Sequence, residues 1–170
     1  MKFSMKFALV TGLQVACLIG MIGYKYASLA SGTEVTLEVP RPKDPRSLFS
    51  GDYVIIRYAI NELDLKKIPN DIKNLDYGMP VYVELEPKGA VWVPKMVRNT
   101  KPEKGVTFIK GKLLSYRDNN TVLSVDYGIE NYFIPENTGR EMEKHLREVQ
   151  KAVVSIDPSG KGTVVRIPEK

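Results

Sequence analysis

Two short stretches, "DPRSLFSGDYVIIRY" at 44–58 and "GIENYFIPE" at 128–136, concentrate the groups in this chain that could do chemistry. The first sets Asp44, Arg46, Asp52, Tyr53, Arg57 and Tyr58 around Gly51, with Ser47 and Ser50 between them. The second sets Glu130 and Glu136 on either side of Tyr132 and Phe133, with Asp126 just upstream. Paired carboxylates beside tyrosines are the equipment of general acid–base hydrolysis, in which one group gives a proton and another takes one. The same groups also make structural ion pairs, and residue type alone does not separate the two uses.

Other reaction types find less support. The single histidine, His145, lies between Lys144 and Arg147 on a predicted helix, off its apolar stripe, so it is expected at the surface. A zinc site would have to rest on carboxylates, an unusual set for that ion. The glycines beyond residue 30 read as single turn residues rather than a phosphate loop, and no cofactor is expected. The opening stretch also bears comparison with the serine–lysine hydrolases of the signal-peptidase and repressor-cleaving type, where a serine followed by Met-x-Pro precedes a Gly-Asp strand start. Here the corresponding place reads "KDPRSLFSGDYV". It lacks the Ser-Met pair and an evident strand-borne lysine, and Ser47 and Ser50 are poor substitutes for the nucleophile. Asn119-Asn120-Thr121 has the form of a glycosylation acceptor but sits where a hairpin turn is expected.

These groups must be held by an apolar anchor and a β-rich body. From Phe7 to Gly23 there is no charged residue; as a helix this run is about 26 Å long, close to the hydrocarbon thickness of a bilayer. Lys2 and Lys6 precede it, and Tyr24, Lys25 and Tyr26 follow as an interfacial belt. The reading is a membrane anchor through residues 7–24, with residues 1–30 as anchor and linker and 31–170 as the β domain. Two alternatives stay open: a cleaved signal with Ser28-Leu29-Ala30 as its exit, and a lipoprotein signal modified at Cys17. A short basic tail followed at once by the anchor places the amino terminus in the cytoplasm and the domain outside it, in a periplasm or at a cell surface. The only cysteine lies in the anchor, so cysteine usage does not report on the redox compartment.

The 170-residue chain is 43% hydrophobic and 26% charged, an ordinary globular mixture. Its net charge of +5 is partly positional: three of the 25 basic residues fall in the first 30 positions, which hold no acid, leaving 22 against 20 in the rest. Bases and acids are interspersed there, so nucleic acid is not an expected partner.

Beyond the anchor the pattern changes to period-two alternation. "TEVTLEV" places Val35, Leu37 and Val39 on one face of a strand. "YVIIRYAI" at 53–60 predicts a central strand, with Tyr53, Ile55 and Arg57 on one face and Val54, Ile56 and Tyr58 on the other. Residues 61–79 read as a long surface excursion. Three hairpins follow: one turning at Pro87-Lys88-Gly89, with Pro94 marking an edge strand or bulge; one turning at "RDNN"; and a last one turning at Asp157–Gly160. One helix is predicted in "PENTGREMEKHLREVQKA" at 135–152, with Asn137 or Thr138 as cap and Met142, Leu146 and Val149 as its buried stripe. The expected fold is mainly β, an antiparallel barrel or sandwich of about eight strands with one short helix, preceded by a transmembrane helix.

With both stretches and their order in view, the chain resembles the GDYXXLXY family of bacterial membrane-anchored proteins. Gly51, Asp52, Tyr53 and Tyr58 match its motif, with Ile56 at the leucine, and Asp44-Pro45-Arg46 and the distal "GIENYFIPE" fit as well. The resemblance implies membrane anchoring and a possible multi-spanning membrane partner, and it implies no catalytic residue. The leading reading is therefore a non-enzymatic accessory or interaction module working with an integral membrane protein or envelope component. The alternative is an envelope hydrolase with its carboxylates between the two motifs. Within either, Arg46 or Arg57 is expected to pair with Glu130 or Glu136 and tie the motifs together.

Overall fold

A computed structural model describes residues 2–30, 32–40, 53–119, 121–133 and 150–168; toward the ends of the N-terminal helix, and at Tyr53, Val54, Tyr132 and Phe133, it describes the backbone alone. Most of the predicted helix, residues 135–149 with Glu136 and His145, lies outside the described residues, as do Asp44, Arg46, Gly51 and Asp52; its last positions are not helical, since Lys151 and Ala152 begin a strand. The chain divides into two compact units, Met1–Gly32 and Thr33–Lys170.

The first unit is a single helix, α1 (Lys2–Ala30). Its stretch Lys6–Gly23 has a mean hydropathy of 1.7 and is long and apolar enough to cross a membrane. Phe7, Leu9, Leu13, Leu18, Ile19 and Ile22 are all exposed. A helix apolar on every side needs an apolar environment around it, and a bilayer is one.

The second unit is mainly antiparallel β. Its described strands are β1 (Thr33–Glu38), β2 (Tyr53–Ile55), β3 (Glu62–Asp64), β4 (Pro80–Lys88), β5 (Val91–Arg98), β6 (Phe108–Arg117), β7 (Val122–Asp126), β8 (Asn131–Phe133), β9 (Lys151–Ile156) and β10 (Gly162–Arg166). They form a five-stranded sheet of order β3-β7-β6-β4-β5, a three-stranded sheet of order β1-β9-β10, and a two-stranded ribbon of β2 and β8. Alternation does most of the work. Val35 and Leu37 of β1, Val81, Val83 and Leu85 of β4, Ile109 and Leu113 of β6, and Leu123 and Val125 of β7 all face one common core. In β9, by contrast, every residue from Ala152 to Ile156 is buried, as suits the middle strand of its sheet.

Turn chemistry sets the registers. The β4–β5 hairpin closes with Lys88 opposite Val91, so the loop is Gly89-Ala90, one residue later than the sequence suggested. Pro94 sits on an edge strand beside a bulge, where Leu85 faces Pro94 and Glu84 faces Met96. Asp118 and Asn119 at the β6–β7 turn take φ of 54° and 57°, the left-handed region that Asp and Asn tolerate.

Two expectations need correction. "YVIIRYAI" is not one central strand: β2 ends at Ile55, pairs only with β8 among the described residues, and gives way to a 3₁₀ turn at Ala59–Asn61. The strand stops because Asn61 bends back to accept the Tyr58 amide through its side-chain oxygen at 2.6 Å. The 61–79 excursion contains β3, and the segment after it covers the outer edge of β5. Val97 N donates to Pro69 O at 3.0 Å and Asp71 N to Val97 O at 3.1 Å. Arg98 bridges Glu84 at 2.5 Å and Asp71 at 3.3 Å. An edge strand with its free amides occupied is a poor template for a second chain.

Gly111 of β6 marks the tightest part of the sheet: a Cβ there would lie 2.8 Å from the carbonyl oxygen of Asp126 and closer still to Val125. Gly111→Ala is therefore expected to destabilise the β unit by about 1–3 kcal/mol, the usual cost of overpacking, measured as a lower denaturant midpoint with an unchanged slope.

Candidate functional site

The two motifs are joined first by backbone. In the β2–β8 ribbon Tyr53 faces Phe133, Val54 faces Tyr132 and Ile55 faces Asn131. The ladder continues one step further, with Ile56 N donating to Glu130 O at 2.7 Å. Beyond it the chain turns, and side chains take over.

Tyr58, last residue of the first motif, is 2% exposed and donates its hydroxyl to Ile129 O at 3.1 Å. Tyr127, just ahead of the second motif, donates its hydroxyl to Ile60 O at 2.7 Å. The two bonds are reciprocal: each tyrosine reaches the carbonyl two residues after the other. Both phenols are pushed well above the ordinary tyrosine range, chiefly by burial and then by the charge of Glu130. Buried hydroxyls that already donate to main-chain carbonyls act as fasteners, not as proton relays.

Glu130 stands at the centre of this joint. Its Oε1 accepts from Asn61 Nδ2 at 2.7 Å and from Tyr127 N at 2.8 Å, and its Oε2 accepts from Ile129 N at 2.8 Å. Asn61 Nδ2 also donates to Val125 O at 2.8 Å. Burial raises the Glu130 carboxyl above the usual range, the neighbouring Asp126 side chain raises it further, and the bonds from Tyr127 and Asn61 offset part of that rise. Asp126 in turn holds Gly128 N at 2.9 Å. Among the described residues no buried side-chain nitrogen or oxygen lacks a partner.

Among the described residues the partners of Glu130 are an asparagine and two amides rather than Arg57. Arg57 is exposed and makes no ion pair among the described residues. The pairings that involve Arg46 or Glu136 lie outside the described residues. Asn61 and Tyr127 are the residues that sequence reasoning missed. A signal existed for each: Asn61 follows the motif tyrosine at the i+3 spacing of a side-chain cap, and Tyr127 abuts a turn glycine, Gly128, with φ of 73°.

Beside the joint is an open groove of about 270 Å³, bordered by Arg57, Asn61, Asp126 and Glu130, with Ile55 and Leu114 as its apolar sides. Among the described residues no group of three or more His, Cys, Asp or Glu side chains is arranged to hold a metal ion. With Glu62, Ser124 and Asn131 also in its lining, the groove offers one cation, three acids, two amides and a hydroxyl to whatever enters it.

A family model described as GDYXXLXY protein matches residues 14–167, nearly the whole chain. No curated protein and no solved structure matches it.

Two measurements test the joint. Tyr58→Phe should cost about 1–2 kcal/mol, the loss of one buried hydrogen bond. Asn61→Ala should cost more, about 2–3 kcal/mol, because it strips a donor from Glu130 and Val125 and an acceptor from Tyr58 together; chemical denaturation of both variants checks the order. Because the Glu130 carboxyl is raised in the folded state, its protonated form adds stability that is fully present below the unfolded value of about 4.3 and is lost as pH rises through the native value. Stability measured across that window should fall with rising pH in the native chain, and Glu130→Gln should flatten that dependence while lowering the baseline.

Proposed function

The chain belongs to the GDYXXLXY family, and from that premise we propose that it is a membrane-anchored, non-catalytic accessory module whose β unit works outside the cytoplasm with an integral membrane protein or envelope component. The observation that carries this reading is the state of Glu130. The best-placed acid of the two motifs is saturated by Asn61, Tyr127 N and Ile129 N, so the motifs serve to lock a fold rather than to run a reaction.

The anchor supports the location. Residues 7–24 insert, the amino terminus stays in the cytoplasm, and residues 31–170 form the extracytoplasmic domain; the apolar stretch Lys6–Gly23 suits a single crossing. A module tethered in this way meets its partner in two dimensions, where effective concentrations are high and a modest interface suffices. A multi-spanning membrane protein is the partner class that best suits such a tether.

A second reading, an envelope hydrolase, draws on one observation: the groove beside the joint holds Asp126 and the raised carboxyl of Glu130. The two readings separate on membranes. Photo-crosslinking residues placed on exposed positions of the β unit, in the full chain in native membranes, should recover a multi-spanning protein or an envelope component. Recovery of neither counts against the accessory reading, whereas turnover of an envelope substrate that is lost in Asp126→Asn turns it to the hydrolase. Protease added to sealed right-side-out vesicles should remove the β unit, and protection there would reverse the orientation.

A further inference from the structure

A second cleft, of about 410 Å³, opens where β7 turns away from β6. Up to that point Lys112 of β6 faces Asp126 of β7. Further along β6 the tip of the β9–β10 hairpin takes over, with Lys110 N donating to Gly160 O at 2.8 Å. Lys110 and Lys112, two apart on one face of β6, line one side of the gap; Ser159 and Lys161 line the other, and Gly128 and Asp126 lie at its margin.

Three lysines therefore line one cavity, and among the described residues none of them has a carboxylate within ion-pair distance. Lys110 has only the face of Tyr82, with its ammonium 5.9 Å from the ring centroid. Lys67 meets Asp64, Arg98 meets Glu84 and Asp71, and Arg117 meets Glu62, while other lysines such as Lys88, Lys95 and Lys104 make no ion pair among the described residues; Lys110, Lys112 and Lys161 differ from those in lining one cavity together. One acid, Asp126, also lines the cleft, with its Oδ1 accepting from Gly128 N at 2.9 Å, so the lining sets three lysines against a single carboxylate. Both walls are fixed. Asp157 Oδ1 accepts from Ser159 N at 2.8 Å and from Lys161 N at 3.0 Å, which sets the backbone from which Lys161 projects. Gly160 packs so closely on Phe108 that it has no room for a Cβ, which holds the hairpin tip against β6. Three like charges held along fixed walls repel one another, and an anion between them relieves that repulsion. Ammonium groups bind phosphate as point charges, and several of them around one cavity can share the charge of a phosphate dianion.

We propose that this cleft binds a phosphate-bearing anion, a free phosphate monoester or a phospholipid head group, through Lys110, Lys112 and Lys161. The test uses the full chain in nanodiscs of zwitterionic lipid, titrated calorimetrically with glycerol phosphate. Saturable binding is expected that weakens with added salt and falls at least about tenfold, roughly 1.4 kcal/mol, in Lys110→Gln/Lys112→Gln/Lys161→Gln. A matched variant, Lys88→Gln/Lys95→Gln/Lys104→Gln, changes the net charge equally and should bind as the native chain does. Unaltered thermal midpoints establish that both variants are folded, and the single Lys161→Glu supplies a milder change with the same expected direction. Discs doped with phosphatidic acid distinguish the sources: competition against glycerol phosphate assigns the site to a lipid head group, and its absence assigns it to a soluble monoester. No saturable binding, or equal loss in the two triple variants, overturns the proposal.

Discussion

Two tyrosine hydroxyls, each donating to the carbonyl two residues beyond the other, hold the ends of this domain's chemistry-bearing segments against one another. Tyr58 reaches Ile129 and Tyr127 reaches Ile60, and everything near them follows from that exchange. It places Asn61 over Val125 and Glu130, it brings the Glu130 carboxylate under the amides of residues 127 and 129, and it sets the register in which β2 meets β8. A two-stranded ribbon of three residues each has little stability of its own. Here it persists because the buried bonds at its end are satisfied and would be costly to expose.

The cost of that arrangement falls on Glu130. An acid among buried aromatic rings and beside another carboxylate is less easily ionised than one in water, and the hydrogen bonds from Tyr127 and Asn61 offset only part of the difference. Such a group resembles a catalytic acid in its environment while differing in its connections. A general acid must present its proton to a substrate, whereas both oxygens of Glu130 are turned toward the chain that carries it and toward Asn61. The groove alongside is where any chemistry would have to happen, and beside Glu130 its lining presents Arg57, Ser124, Asn131 and what Asp126 leaves unused.

Much of the scaffold was legible in the sequence because its rules are local. The alternation in "TEVTLEV" correctly gave Val35, Leu37 and Val39 as one buried face, Asp118 and Asn119 announced a turn with positive φ, and Pro94 pointed to an edge and a bulge. "YVIIRYAI" misled because β-branched residues report strand propensity and say nothing of an asparagine, three residues past the motif tyrosine, that draws the chain back into a turn. The 61–79 segment misled in a different way. Leu65, Ile68, Ile72 and Leu75 pack on the core without regular period, since Pro69 interrupts them and the segment follows the edge of β5 instead of forming an element of its own. At the site, the meeting of the two motifs was legible, but the partner of Glu130 was not. An arginine is the partner that charge suggests, and a buried carboxylate can be served as well by amides whose positions depend on the fold.

The sheet order has a consequence for how the chain is made. β1 pairs only with β9 among the described residues, and the segment after it pairs with residues about seventy positions downstream, as the separation between Tyr58 and Ile129 shows. The first β segments to be synthesised are thus the last to find neighbours, since loops of that span must close before either contact forms. Until β9 arrives, β1, the strand that follows α1 in sequence, lacks the one strand partner it has among the described residues, and the period during which this protein is most exposed to mispairing lies in its biogenesis rather than in its folded life.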